Sequence, residues 1–188
     1  MNRTTEAALA ANLFRRWVVS SDEGMAAIEF AAIMPFLLIV LFGSFEVTQG
    51  ILLQRQVALT ADTVTNVVGQ YTTISASTQM PDILGASAQI FAPNSASAAT
   101  IVVSLITIDG TGKATVTWSQ ALNGAAHAAG QVMAIPAGLD IKNTSLVLGE
   151  VTYAYVPVPL DFIQIGTVPL SASVFMSTRD SSTISLVS

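Results

Sequence analysis

The sequence predicts an α+β protein in which a long N-terminal transmembrane helix continues as an amphipathic helix packed on a small antiparallel β-sheet. Residues 25–45 predict the helix, because they carry a single charge, Glu29, among apolar and small side chains. Two β-branched runs, 100–108 and 114–119, predict the sheet. The residues between these runs read DGTGK, and their glycines supply the positive φ that a hairpin loop requires.

The composition excludes several classes of protein. Apolar residues make up 52% of the 188 residues and charged residues only 10%, which is the opposite of a disordered chain. The 7 basic residues against 12 acidic ones provide no basic surface, so we expect no nucleic acid partner. The absence of cysteine excludes disulfides, thiolate metal sites and cysteine nucleophiles. With one histidine as well, we expect no enzyme activity, cofactor or metal.

Residues 25–45 are predicted to form a single transmembrane helix, since about 20 mostly apolar residues cross a bilayer core. A buried core helix of a soluble protein is disfavoured because residues 33–42 are hydrophobic on every side. A cleaved secretory signal needs an apolar stretch of about 7–15 residues followed by a small-x-small site. The run instead ends in GSFE and continues with helical periodicity. Pro35 is expected to kink the span.

The orientation of the span is predicted from the basic residues at its ends. Arg15 and Arg16 precede it, and only Arg55 lies within comparable reach after it. The positive-inside rule therefore places the N-terminus in the cytoplasm and the residues beyond about position 50 on the other side.

The helix is expected to continue beyond the membrane to about Tyr71, with Gly69 marking its end. Apolar residues recur there at mostly helical spacing and form a stripe that the sheet can cover: Val47, Ile51, Leu53, Val57, Ala61, Val64, Val68 and Tyr71. No proline interrupts residues 46–80.

The rest of the chain has the character of a mixed domain. A short helix is expected near residues 82–91 and a loop or weak helix over 121–138. Two further strands are predicted over 146–156 and 170–177. The chain then divides into four parts: a cytoplasmic N-terminal segment, 1–24; the transmembrane helix, 25–45; an amphipathic extension, 46–72; and an α+β domain on the other side of the membrane, 73–188.

The most specific local pattern lies where the span begins. Gly24 precedes the apolar helix, and Glu29 follows five residues later. A carboxylate in lipid costs up to about 2.5–3.5 kcal/mol at the bilayer centre and less near its edge. Either Glu29 stays hydrated at the cytoplasmic face, or a cut after Gly24 frees an ammonium group on Met25. In the second case Glu29 of one subunit neutralises the terminal amine of a neighbouring subunit. Two opposite charges that are paired in a low-dielectric environment cost less free energy than either charge alone.

Residues 24–46, GMAAIEFAAIMPFLLIVLFGSFE, resemble the TadE-like segment of tight-adherence (Flp-type) pilus assembly proteins. The resemblance covers about 23 of the 188 residues. The positions that carry it are Gly24, Glu29, Phe30, Ala31, Pro35, Gly43 and Glu46. Residues 109–119 and 150–157 resemble the extracytoplasmic part of that family more loosely.

The resemblance implies a pilin-like minor pilin or pseudopilin, or an assembly factor, of a type IVb pilus that serves cell adhesion. A prepilin peptidase would cut between Gly24 and Met25 and remove residues 1–24 as a leader. Glu29 and Phe30 would then serve assembly with other pilin or pseudopilin subunits. The protein would stay in the bacterial inner membrane with its C-terminal domain in the periplasm. The alternative is an unprocessed single-pass anchor that presents a periplasmic binding or sensory domain.

Three other residues or motifs have simpler interpretations. His127 has no partner ligand nearby in the sequence, so no metal role is expected for it. Residues 109–113 lack the alternating acidic residues of a calcium loop and are expected to form only a turn. Trp118 is expected in the core.

Overall fold

The computed structural model describes residues 22–157, 166–179 and 183–188. Arg15, Arg16 and most of the predicted leader therefore lie outside the described residues. The elements follow one another in this order: α1 Asp22–Val68, β1 Thr73–Ser75, α2 Gln79–Ala88, the 3₁₀ turns Gln89–Phe91 and Ala96–Ala98, β2 Ala99–Ile108, β3 Ala114–Leu122, β4 Thr144–Tyr155, β5 Val168–Ser177 and β6 Ser185–Val187.

Helix α1 is continuous over 47 residues, which confirms the predicted long helix. It ends at Val68, three residues before the predicted position. The N–H of Gly69 makes the last helical bond, to the carbonyl of Thr65 at 2.9 Å. The next two N–H groups, of Gln70 and Tyr71, bond only three residues back, so the chain tightens into a turn. Pro35 lies inside the helix, and the kink expected there stays a prediction.

The chain divides into two compact units, with the boundary after Val47. The described part of the first unit is the apolar half of α1, in which every side chain from residue 25 to 45 is exposed. Among the described residues, this is the one helix long and apolar enough to cross a membrane. Because none of its apolar faces is covered by protein, it is not the core helix of a soluble domain. Membrane anchoring accounts for such a surface.

The second unit, residues 48–188, contains the predicted antiparallel sheet. Its four strands lie in the order β3-β2-β4-β5. The hairpin β2–β3 is confirmed, with a register shift between Leu105 and Ile106. The predicted strands are confirmed, although each differs from its predicted range by one to three residues at one or both ends.

A second, parallel sheet joins β1 to β6 and has no counterpart in the sequence prediction. Each strand is only three residues long, and the pair joins the segment after α1 to the end of the chain. Ile74 at the centre of β1 and Ile184 just before β6 are fully buried. The Trp118 indole N–H donates to the carbonyl of Ile184 at 2.8 Å, so this buried residue also ties β3 to the C-terminal segment.

The core lies between the second half of α1 and one face of the four-stranded sheet. The predicted stripe is confirmed at its centre, where five of its residues are buried against the sheet: Leu53, Val57, Ala61, Val64 and Val68. Tyr71 is partly buried beside them, whereas Val47 and Ile51 are exposed, contrary to the prediction. Full burial of one such side chain stabilises the fold by about 1.5–3 kcal/mol.

The opposite face of the sheet is partly covered by the segment 123–143. Met133 and Ile135 pack there on a smaller buried cluster from the strand ends: Ile106, Ile108, Ala114, Leu146 and Leu148. This segment contains no helix, and its one β-bridge joins Val132 to Thr115. Of the two alternatives predicted for residues 121–138, a loop or a weak helix, the loop is confirmed.

Candidate functional site

The proposed cleavage position lies in the first turn of α1. Gly24 is partly exposed and Met25 is fully on the surface. Glycine costs about 1 kcal/mol relative to alanine inside a helix, and the first turn lacks intrahelical partners for its N–H groups, so this turn is easier to open than the interior of α1. A peptidase that needs extended backbone would therefore meet the least resistance at the start of the helix.

Glu29 and Phe30 lie on the same exposed helix, one turn further along. Glu29 is four residues after Met25, and side chains at this spacing share one helix face. Within the part of the chain that the structure describes, the Glu29 carboxylate has no ion pair or hydrogen bond, and Phe30 is exposed. Helical side chains tilt toward the N-terminus, so the carboxylate is directed toward the level of Met25.

Pro35 changes the hydrogen bonding of the same surface. Because proline has no N–H, the carbonyl of Ala31, four residues earlier, loses its helical donor. Both residues are exposed in the isolated chain. The first third of α1 thus presents an acidic group, an aromatic ring and a carbonyl without its usual helical donor on a surface otherwise made of apolar and small side chains.

In the second unit, three glycines define how α1 crosses the sheet. A Cβ placed on Gly50 would lie 3.9 Å from Tyr155 Cε1, at the end of β4. Gly149, in the middle of β4, faces Ala61 and Thr65, and Gly69 faces the sulfur of Met176. The helix therefore runs antiparallel to β4, from the Tyr155 end of the sheet toward the end that carries the β2–β3 hairpin.

His127 has a partner that sequence reasoning missed. Its Nε2 lies 2.6 Å from Glu150 Oε2, and the two side chains are 26% and 34% exposed. Its backbone N–H donates to Ser119 Oγ, which Ser104 also contacts. The only available signal was that Glu150 alternates with apolar residues on β4, which places it on the sheet face opposite α1.

The contact between His127 and Glu150 joins the loop after β3 to β4. Ser119 meets the main chain of His127 and not its imidazole, so the three side chains do not form a relay toward a nucleophile. The described residues include no group of three or more His, Cys, Asp or Glu side chains that could hold a metal. A shallow pocket of about 340 Å³ lies beside Glu150 and is lined mainly by strand residues such as Thr152, Ser171 and Ser173.

These features define a membrane-anchored α+β protein, with one apolar N-terminal helix that continues into the core of a four-stranded domain. Residues 24–65 match the family model described as TadE-like protein, which confirms the resemblance for this segment of the chain. No curated protein and no solved structure matches the chain.

Proposed function

We propose that the protein is a minor pilin or pseudopilin-like subunit, or an assembly factor, of a tight-adherence pilus, processed by a prepilin peptidase after Gly24. The observation that supports this proposal most is the spacing from Gly24 to Glu29 at the start of a helix exposed on every face. The matched family segment begins at the same glycine.

Cleavage after Gly24 has a direct chemical consequence. It converts a backbone amide into an ammonium group on Met25, at the edge of an apolar span. An ammonium group taken out of water without a partner is costly. Glu29 is the single charged residue from 25 to 45, so the carboxylate of a neighbouring subunit is the available counter-charge when the helices pack side by side.

The exposed span also fits a subunit that leaves the lipid for a bundle of like helices. A plain anchor needs only hydrophobicity and has no use for an acidic side chain near its first turn. In the proposed function the C-terminal domain lies in the periplasm, and the partners are the peptidase and other pilin or pseudopilin subunits. We propose no enzymatic role.

The test is the intact mass of the protein extracted from membranes of cells with an active prepilin peptidase. We expect the mature chain to begin at Met25. The variant Gly24→Trp should keep its leader, because a bulky side chain hinders approach of the backbone to the protease. Gly43→Trp is the matched control, since a Cβ at Gly43 has no neighbour within 4 Å, and it should be cleaved normally.

Unaltered protein that begins only at Met1 would overturn the processing step. The unprocessed single-pass anchor that presents a periplasmic domain would then be the better description. Cleavage of Gly24→Trp at the normal position would show instead that the glycine is not part of the recognised site.

A further inference from the structure

The part of α1 that belongs to the second unit has two different faces. One face packs on the sheet through the buried stripe that runs from Leu53 to Val68. On the opposite face Leu52 is 49% exposed and Leu59 is 54% exposed, and Arg55 and Asp62 are exposed on the same side. We call these four exposed residues the outer stripe: Leu52, Arg55, Leu59 and Asp62.

The outer stripe has the spacing of a contact between two helices. Its members follow one another at intervals of three, four and three residues, which is the spacing of the contact line in a coiled coil. The two leucines occupy equivalent positions in successive heptads, and so do the two charged residues. Single exposed apolar residues are ordinary, but an apolar and a charged residue in turn along one line suit a second helix that carries the complementary order.

The two charges of the outer stripe are opposite in sign and have no partner in the single chain. Arg55 and Asp62 are seven residues apart, which is about 10.5 Å along the helix axis. Side chains that pair within one helix are three or four residues apart, so these two do not pair within a copy. Among the described residues the one ion pair joins His127 to Glu150, and neither side chain of the outer stripe's charged residues makes a hydrogen bond.

We propose that the outer stripe binds the outer stripe of a second copy of this chain, with the two helices parallel and offset by one heptad. In this register Arg55 of one copy lies level with Asp62 of the next, and Leu52 lies level with Leu59. The inference rests on the proposed function, in which pilin-like subunits pack side by side, and it names one partner and the residues that recognise it.

The charges and the leucines together select this register. Two parallel copies without an offset would place Arg55 against Arg55 and Asp62 against Asp62, and like charges repel. An antiparallel pair can join Arg55 to Asp62 twice, but it then places Leu52 level with Thr65, which is buried against the sheet. The offset parallel register is the one of these three in which both charges and both leucines meet their complement.

The offset also makes the contact open-ended. Each copy uses Arg55 toward one neighbour and Asp62 toward the other, so the contact is heterologous and does not close into a dimer. A third copy is added through the same pair of residues. The outer stripe would therefore arrange copies of the chain in a row.

The natural chain has no cysteine, so introduced cysteines test the register in the full-length protein. Leu52→Cys and Leu59→Cys are combined in one chain, expressed as the sole copy in cells with an active prepilin peptidase, and the membranes are oxidised. The two Cα atoms of one copy are about 10.5 Å apart, beyond the limit of about 7 Å for a disulfide. Any disulfide therefore joins two copies. The chains with only one of the two cysteines are the matched controls.

We expect the double-cysteine chain to give a ladder of disulfide-linked dimers, trimers and larger multimers. Either single-cysteine chain should give several-fold less dimer, because residues at the same position do not lie level with each other in the offset register. Intact mass of the same membrane extract shows separately whether the chain begins at Met25.

Charge reversal tests the ion pair in the double-cysteine chain. Asp62→Arg places two basic groups level with each other and should reduce the ladder several-fold, and the addition of Arg55→Glu should restore it. Asp140→Arg is the matched control, because it makes the same change of charge at an exposed residue on a loop. It should leave the ladder unchanged.

Several results would overturn the inference. Dimers from both single-cysteine chains would show parallel copies without an offset, and dimers from Leu59→Cys alone would show antiparallel copies. A cross-linked band that contains a different protein would show another partner, and a ladder unaffected by Asp62→Arg would remove the ion pair. Absence of a ladder from protein that begins at Met25 would leave the proposed function standing without this contact. A ladder from protein that begins only at Met1 would support the contact and overturn the proposed processing.

Discussion

Gly149 on β4 lies directly against Thr65 on α1. A Cβ added to the glycine would overlap the threonine Oγ1 and come within 2.9 Å of the Ala61 carbonyl oxygen. The Thr65 hydroxyl donates to that same carbonyl at 2.6 Å, so it cannot turn away without losing its acceptor. The helix and the central part of the sheet thus meet backbone to backbone at this point, and only glycine permits the approach.

The first prediction is that Gly149→Ala destabilises the second unit. The added methyl group would force α1 away from the sheet or turn Thr65 out of its hydrogen bond, and overpacking of this kind costs about 1–3 kcal/mol. Urea unfolding of the detergent-extracted protein in a Trp17→Phe background, where Trp118 is the single tryptophan, should show a lower fluorescence midpoint for Gly149→Ala than for the same chain without that substitution.

The matched control for that prediction is Gly85→Ala on α2. A Cβ at Gly85 has no neighbour within 4 Å, and alanine is favoured over glycine in a helix by about 0.5–1 kcal/mol. This variant should unfold at the same or a higher urea concentration. An equal loss of stability in both variants would contradict the role assigned to the contact between Gly149 and Thr65.

The second prediction concerns Glu29→Gln. The substitution removes the charge but keeps the size of the side chain, so the protein should be made, inserted and cleaved. A neighbour's ammonium group then lacks its counter-charge, and breaking a buried pair costs about 3–5 kcal/mol. We expect loss of piliation, or loss of co-purification with partner pilins, when the variant is the sole copy.

Glu29→Asp serves as the comparison, because it restores the negative charge with a shorter side chain and should recover part of the assembly. Normal piliation by Glu29→Gln would mean that the carboxylate only rests, hydrated, in the headgroup region.

The third prediction is the topology of the chain. Arg15 and Arg16 before the span favour a cytoplasmic N-terminus and a periplasmic C-terminal domain. A reporter that is active only in the periplasm, fused after the exposed Ser188, should be active. The same fusion with a cytoplasmic reporter is the control, and activity of that reporter alone would reverse the orientation.

The fourth prediction concerns Asp109 in the β2–β3 turn. Its Oδ1 accepts hydrogen bonds from the hydroxyl and N–H of Thr111 and from the N–H of Lys113. The bond from the Thr111 hydroxyl, followed by that from Lys113, holds the pKa of Asp109 below its ordinary value of 3.8. Folding lowers the pKa of Asp109, so its charged form stabilises the turn at pH values above the ordinary pKa. This stabilisation is lost as the pH falls through the lower pKa of the folded protein.

Amide hydrogen exchange measures this effect locally. After correction for intrinsic rates, protection of the Thr111 and Lys113 amides should decline as the pH falls through that acid range. Asp109→Ala should reduce protection at neutral pH as well, because it removes the acceptor. Asp109→Asn keeps a neutral acceptor and should show no such pH dependence; protection that still declined in this variant would assign the effect to another group.

The elements found from the sequence are those with a strong local signal. The run at 25–45 is identified by its length and apolar composition, whereas the stripe from Leu53 to Val68 and the β-branched runs show the period or residue types of a helix or a strand. Propensity and periodicity act over a few residues, so they predicted α1 and the four main strands with small errors at the ends. The spacing of Gly24 and Glu29 could also be recognised from the sequence, because the two residues are only five positions apart.

What the sequence by itself determined is therefore the α+β class, the long apolar helix and the position of the TadE-like segment. Only the tertiary structure decided which distant residues meet: Gly149 with Thr65, His127 with Glu150, and β1 with β6. These contacts join residues far apart in the chain, where no local period or spacing relates one partner to the other. Packing of the helix on the sheet brings them together, because burial of the apolar stripe offsets the entropy lost in closing the long loops between them.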